Sequence, residues 1–204
     1  MDNIYSMKRF LLAMVFLAGF CLMQAQDLAI GGTLPKGDLK VKDISGGLIT
    51  LNDAKSSSGL LVIFTSNTCP YVVRNQARTK DICAYAAAKG LGVVLLNSND
   101  ANRSGVDSYA EMQDYAKKQD YKWRYAVDSH SELANAFGAN RTPECYLFDA
   151  GQKLVYHGAI DDNPADERQV NRKHLQEAIS EMIAGKEVSV KETRSVGCTI
   201  QRRG

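Results

Sequence analysis

The chain has 204 residues, with 25 Lys and Arg against 23 Asp and Glu and a formal net charge of +2. That length suits one domain with a sizeable core, and the near-balanced charge, without a basic stripe, argues against nucleic acid as a partner. His130, His157 and His174 are scattered and no two cysteines stand in Cys-x-x-Cys spacing, so no zinc pattern is present; nothing implies a nucleotide, flavin or other cofactor.

The first element is expected to leave the mature protein. Lys8-Arg9 is a short basic region, and Phe10 to Met23 is an apolar run broken only by Gly19. About 14 residues are too few to span a bilayer comfortably but suit the core of a signal peptide. Residues 1–25 are therefore read as a signal cleaved near Ala25, with Met7 as an alternative start and an uncleaved anchor as the competing reading. Phe20 stands before Cys21 where a lipoprotein would carry a small residue, which disfavours lipidation. The expectation is export to the periplasm or beyond, with no membrane span after cleavage. An oxidising compartment permits disulfides. Cys69, Cys83, Cys145 and Cys198 remain, and their order alone does not choose among the possible pairings.

Leu39 to Ile44 alternates, Gly46-Gly47 turns and Leu48 to Leu51 returns, which predicts a hairpin. A Ser-rich linker, Asn52 to Gly59, leads to Leu60-Leu-Val-Ile-Phe64, a continuous apolar run that reads as a buried strand. Polar Thr65-Ser-Asn-Thr68 breaks it. Cys69-Pro70 then opens a helix expected to run to about Lys89, with Val72, Val73, Ala77, Ile82, Tyr85 and Ala86 as its apolar face and Gly90 as its stop. A thiolate at the first turn of a helix is stabilised by unpaired N–H groups, and Pro70 suits that turn because its missing N–H has no use there. The polar residues before Cys69 predict that it is not deeply buried; the competing reading is a small buried hydrophobe.

Leu91 to Leu96 is a second buried strand, followed by a polar loop, Asn97-Ser-Asn-Asp100. Helix is expected over Val106 to Lys118, a short segment near Trp123 to Val127, and helix over Ser131 to Phe137 with Ser131 as its cap. A strand starts at Pro143 and runs to Asp149, Gly151 turns it, and Lys153 to His157 returns as its partner. The last helix, Val170 to Ala184, carries the stripe Leu175, Ala178, Ile179, Met182 and Ile183. Asp161, Asp162 and Asn163-Pro164 read as a solvated turn, and Arg202-Arg203 as a solvated end.

Strands alternating with helices, closed by a hairpin, predict an α/β fold: a central mixed sheet with helices on both faces and the N-terminal hairpin as an extension. In this order, Phe64 to Pro70, Asn97 to Asp100, Thr142-Pro143, Leu147-Phe-Asp149, Ile160-Asp-Asp162 and Val196-Gly-Cys-Thr-Ile200 resemble the thioredoxin superfold and, within it, a peroxiredoxin-like family of exported redoxin proteins. The resemblance implies a domain over 26–188 and a tail over 189–204.

It also implies chemistry. Cys69 matches the nucleophile of that fold, and Val72 stands where the second cysteine of a dithiol motif would be. Thr142 and Pro143 match the loop carrying a cis-proline, which would form the substrate-side wall together with Thr68 and Pro70. Cys198 is a resolving candidate, if the tail folds back to Cys69; a bridge to Cys83 or Cys145, or a free thiol, stays open. Cys83 is 14 residues beyond Cys69, about 21 Å along a straight helix, too far for a bond to it. Cys145 reads as core packing. No buried carboxylate is visible beside Ile63. The expected activity is thiol-disulfide exchange with a thiol or disulfide partner. Two alternatives are a thiol peroxidase acting on peroxide and a non-catalytic binding module. Ser66, three residues before Cys69, suits the peroxidase; Val62 in place of its proline and the unmatched catalytic arginine do not.

Overall fold

The computed structural model describes residues 27–203; the predicted signal and its cleavage site lie outside them. Among these residues no helix is long and apolar enough to cross a membrane.

The sheet grows outward from the apolar run at 60. Strand β3, Leu60–Thr65, is buried along its whole length. It lies parallel to β4, Gly92–Asn97, which lies parallel to β5, Arg124–Val127. On its other side β3 pairs antiparallel with β7, Glu144–Phe148, which pairs antiparallel with β8, Leu154–Gly158. The predicted hairpin, β1 at Val41–Asp43 and β2 at Leu48–Ile49, extends the far edge by pairing β1 with β5. The order β2-β1-β5-β4-β3-β7-β8 makes a mixed sheet.

Alternation along β3 sorts its side chains to two faces. Leu61 and Ile63 pack with Ile82, Met112, Leu175 and Ile179, which come from three helices. Leu60, Val62 and Phe64 pack with Leu133, Phe137 and Ile200 on the opposite face. Burying each such side chain stabilises the fold by about 1.5–3 kcal/mol before entropy is counted. Both faces are covered, which is why β3 and β4 read as uninterrupted apolar runs.

Several local expectations change. Leu51 does not continue the hairpin: Leu51–Ala54 is a helical turn, α1, capped by the Thr50 hydroxyl accepting from Asp53 N–H, and Leu51 is fully buried. The long helix expected from Cys69 is two helices, α2 at Pro70–Arg74 and α3 at Gln76–Ala88, broken at Asn75. The Asn75 amide donates back to the Tyr71 carbonyl at 2.7 Å. Val73 and Ala77 face solvent instead of the core. The buried side of α3 includes the polar Gln76, Arg78 and Thr79 as well as Ile82, Cys83 and Ala86, so an apolar stripe could not have located it.

Helix α4, Tyr109–Gln119, starts after the predicted Val106 because the Ser108 hydroxyl caps it by accepting from Glu111 N–H. Ser131 does not cap α5, Glu132–Phe137, with its side chain. Asp128 does so: its carboxylate accepts from Leu133 N–H at 2.8 Å and Ala134 N–H at 2.9 Å. His130 and Ser131 between them have φ of 55° and 51°, the left-handed turn that brings Asp128 over the helix start. The last helix, α6, is His174–Ile183.

Candidate functional site

Cys69 occupies the cap position of α2, with Pro70 at the first helical position. Its backbone N–H donates to the Ser66 hydroxyl at 2.9 Å, fixing the turn out of β3. Across from it the short strand β6, Arg141–Thr142, runs into Pro143, and the Thr142–Pro143 peptide is cis. The Cys69 sulfur lies 3.2 Å from the Thr142 carbonyl oxygen. Thr68 and Pro70 are exposed on either side of Cys69, whereas Thr142 and Pro143 are buried. The structure thus gathers Thr68, Cys69, Pro70, Thr142 and Pro143 in one place.

Cys198 joins them. It is disulfide-bonded to Cys69, with a Cα–Cα distance of 6.0 Å and a sequence separation of 129. Cys69 is consequently only 4 % exposed, against the expectation of an open cysteine. The polar residues before it did not signal exposure, since Ser66 and Asn67 are themselves buried.

The chain after α6 is held along its path. It first runs beside β8, where His157 N–H donates to Lys191 O at 2.9 Å and Thr193 N–H donates to His157 O at 3.0 Å. It then forms β9, Cys198–Thr199, antiparallel to β6 with Thr142 opposite Cys198 and Arg141 opposite Thr199. Arg141 donates to the Thr199 hydroxyl at 2.8 Å. Ile200 is buried and its N–H donates to Asn140 O at 3.1 Å. Arg202, expected to be merely solvated, donates to Asn135 Oδ1 at 2.7 Å and Ala139 O at 2.5 Å; Arg203 lies 3.4 Å from an Asp100 oxygen.

Beside this loop the Asn97-Ser-Asn-Asp100 stretch is buried, not an open polar loop. Asp107, with no exposure, organises it. One Asp107 oxygen accepts from Asn67 N–H at 3.0 Å and Asn97 Nδ2 at 2.7 Å, and the other accepts from Asn99 Nδ2 at 3.0 Å. Tyr125 donates to Asn67 Oδ1 at 2.8 Å, and Arg103 donates to Asn97 O at 2.7 Å and Asp107 O at 2.6 Å. Asn99 Oδ1 in turn accepts from Gln201 N–H at 2.9 Å. The network therefore ties the turn before Cys69 to the segment after Cys198. Asp107 and Arg103 had not been singled out in the sequence.

A second missed residue is Glu144, directly after the cis-proline and 6 % exposed. One of its oxygens accepts from the N–H groups of Asn140 and Arg141, each at 2.8 Å, and the other lies 2.7 Å from His157 Nε2. A buried carboxylate is thus present, on β7 opposite Phe64 instead of on β3 itself. It shapes the 140–143 loop that carries β6.

Asp161, read as a solvated turn, is also buried, and it accepts from Arg78 at 2.6 Å. The pair lines a cleft of about 380 Å³ between α3 and the segment leading into α6. Asp162 is exposed, as expected.

Cys83 and Cys145 are free thiols without exposure in the core. Burial pushes both thiols above their ordinary range, so neither supplies a thiolate near neutral pH. A labelling experiment with iodoacetamide is expected to modify neither in the native oxidised protein, to modify Cys69 and Cys198 after mild reduction, and to reach Cys83 and Cys145 only on unfolding. Their raised values also set an alkaline limit. The unfolded chain ionises these thiols first, so the folded state binds more protons and its stability falls as pH rises above the ordinary thiol value of 9.0. Burial raises the buried Tyr125 phenol too, adding to the same slope. The urea midpoint is expected to drop steadily above that pH.

A sheet of this order, with a helix leaving the end of β3 opposite a cis-proline, defines a protein of thioredoxin-like fold. Within that class the chain belongs to the Redoxin family: the family model of that description matches residues 29–173. Among solved structures, a hypothetical protein from Sinorhizobium meliloti 1021 is 32% identical with a TM-score of 0.79, covering 88% of this chain and 97% of its own. An uncharacterized conserved protein from Geobacillus kaustophilus is 30% identical with a TM-score of 0.80, covering 86% and 93%. Peroxidoxin BcpB from Mycobacterium tuberculosis, at 13% identity and a TM-score of 0.53 over 77% and 95%, shares the fold. No curated protein matches the chain.

Proposed function

We propose that this chain is an exported thiol-disulfide oxidoreductase in which Cys69 is the nucleophile and Cys198 the resolving thiol. The observation that carries the reading is the Cys69–Cys198 bond, formed where Cys69 caps a helix beside the cis-proline loop. Val72 removes the possibility of a dithiol within the Cys69 motif, and Cys83 and Cys145 are sealed in the core. Cys198 supplies the second thiol from the tail.

The reaction follows. In the reduced protein Cys69 reacts as its thiolate. The thiolate attacks a substrate disulfide, forms a mixed disulfide through Cys69, and expels one substrate thiol. The Cys198 thiolate then attacks the Cys69 sulfur, closing the internal bond and expelling the second thiol. Two protein thiols are oxidised and one substrate disulfide is reduced; run backwards, the oxidised protein transfers its disulfide to a dithiol. Thr142 and Pro143, with Thr68 and Pro70, border the attacked sulfur.

Ser66 favours one competing reading, since a hydroxyl at that spacing suits a thiol peroxidase. Arg141, the arginine nearest the Thr142–Pro143 loop but about two residues too early to match a peroxidase's catalytic arginine, is engaged with Thr199 on the tail. The reduced protein should be mixed separately with oxidised glutathione and with hydrogen peroxide, and formation of the Cys69–Cys198 bond followed by quenched mass spectrometry. The proposal expects closure by the disulfide with release of two equivalents of glutathione. Oxidation by peroxide far faster than by the disulfide would make the protein a peroxidase. No closure with either would leave the binding module.

A further inference from the structure

The tail lies along Cys69 as an extended peptide. We propose that it marks the track of a partner polypeptide: an extended segment that presents glycine immediately before its reactive cysteine and an aliphatic residue two positions after it. The inference rests on the oxidoreductase reading and adds the shape of its substrate.

Three features of the track are visible. The first is backbone pairing. Thr142 and Arg141 form an antiparallel bridge with Cys198 and Thr199, and β6 has no other strand partner among the described residues. Such pairing reads main chain and is open to any extended peptide. The second is a steric filter. A Cβ at position 197 would fall 2.6 Å from the Thr142 carbonyl carbon, closer still to its oxygen, and 3.2 Å from Pro143 N. These are backbone atoms of the buried Thr142 and Pro143, in a loop pinned by Glu144 through the N–H groups of Asn140 and Arg141, and cannot swing aside as a flexible side chain would. A side chain before the cysteine is therefore refused. The third is an apolar seat. Ile200 is buried in the cluster with Leu133, Phe137 and Ala139, and its N–H donates to Asn140 O. A partner can occupy this track only when the tail has left it, so tail and partner compete for one place. The bond that joins Cys69 to Cys198 has the connectivity a mixed disulfide with the partner would have.

The test uses the full chain carrying Cys198→Ser, which stops closure and leaves Cys69 to react once. Peptides of the form Ser-Val-Gly-Cys-Thr-Ile-Gln, each with its cysteine as a mixed disulfide to 5-thio-2-nitrobenzoate, are offered in excess. Attack by Cys69 releases the coloured thiolate and leaves the peptide on the protein. Overpacking against fixed backbone translates to about tenfold or more in rate, so replacing the peptide glycine by valine is expected to slow the reaction at least that much. Replacing the peptide isoleucine by serine is expected to slow it as well. The same comparison in Gly197→Val/Cys198→Ser, whose own tail can no longer seat, is expected to keep the preference while raising both rates. Equal rates for the glycine and valine peptides in both variants would overturn the proposal. Failure of Cys69 to react with any peptide, or with the free chromogenic disulfide, would overturn the oxidoreductase reading beneath it.

Discussion

Cys69→Ser is expected to abolish disulfide exchange, lowering its rate by roughly three orders of magnitude or more, as loss of a covalent nucleophile does. The fold should survive, because serine is close to cysteine in size, Cys69 holds Ser66 through its backbone N–H, and the reaction itself opens the Cys69–Cys198 bond that the substitution removes. The loss should therefore appear in turnover with an unchanged circular dichroism spectrum. Cys198→Ser should behave differently. Cys69 can still attack, so the first substrate thiol should be released at a rate near that of the unaltered chain, after which the mixed disulfide accumulates. A Cys198→Ser protein that turns over normally would remove Cys198 from the mechanism; a Cys69→Ser protein that does so would remove the mechanism.

A second large effect, on stability, is expected away from the disulfide, at Asp161. Its carboxylate and the Arg78 guanidinium are 2.6 Å apart, with side chains 4% and 8% exposed. Asp161→Ala leaves the guanidinium buried with its charge partner gone, a loss of about 3–5 kcal/mol. The remaining bonds from Arg78 to Asn163 O and Pro164 O offset little of that, since neutral carbonyls replace an ion. For a chain of this size the melting temperature should fall by roughly 10 °C. Arg78→Met should cost a comparable amount, because it leaves the Asp161 carboxylate, itself only 4% exposed, buried without its partner. A shift of only a degree or two in Asp161→Ala would mean that water reaches the pair and that it is not a buried bridge.

The parts of this structure that were legible from residues alone are those whose causes are local. Strand β3 declared itself as an apolar run because both of its faces are buried, and the late hairpin declared itself through Gly151. The Cys69-Pro70 turn was readable because proline is suited to the first position of a helix. What escaped depends on contacts distant in sequence. The buried polar side of α3 depends on distant partners: Asp161, 83 residues from Arg78, and Tyr115 and Tyr121 for Gln76, while the Asn75 amide also reaches Pro164 O. The cap on α5 comes from Asp128 across a left-handed turn, so the nearer Ser131 was the natural choice from spacing. Burial of Cys69 requires a tail that joins it from 129 residues away, and no periodicity encodes that. Glu144 was the one missed residue with a visible signal. A carboxylate inside Pro143-Glu-Cys-Tyr-Leu-Phe148 had to find a partner, and His157 faces its strand across the hairpin register.

The measurement that bears most directly on the account is a disulfide map of the folded protein, made by proteolysis and mass spectrometry without reduction. One peptide pair is expected, joined through Cys69 and Cys198, that separates under mild reductant and reforms on reoxidation, with Cys83 and Cys145 recovered as free thiols. A bond from Cys69 or Cys198 to either core cysteine, or free Cys69 and Cys198 after oxidation, would contradict this pairing.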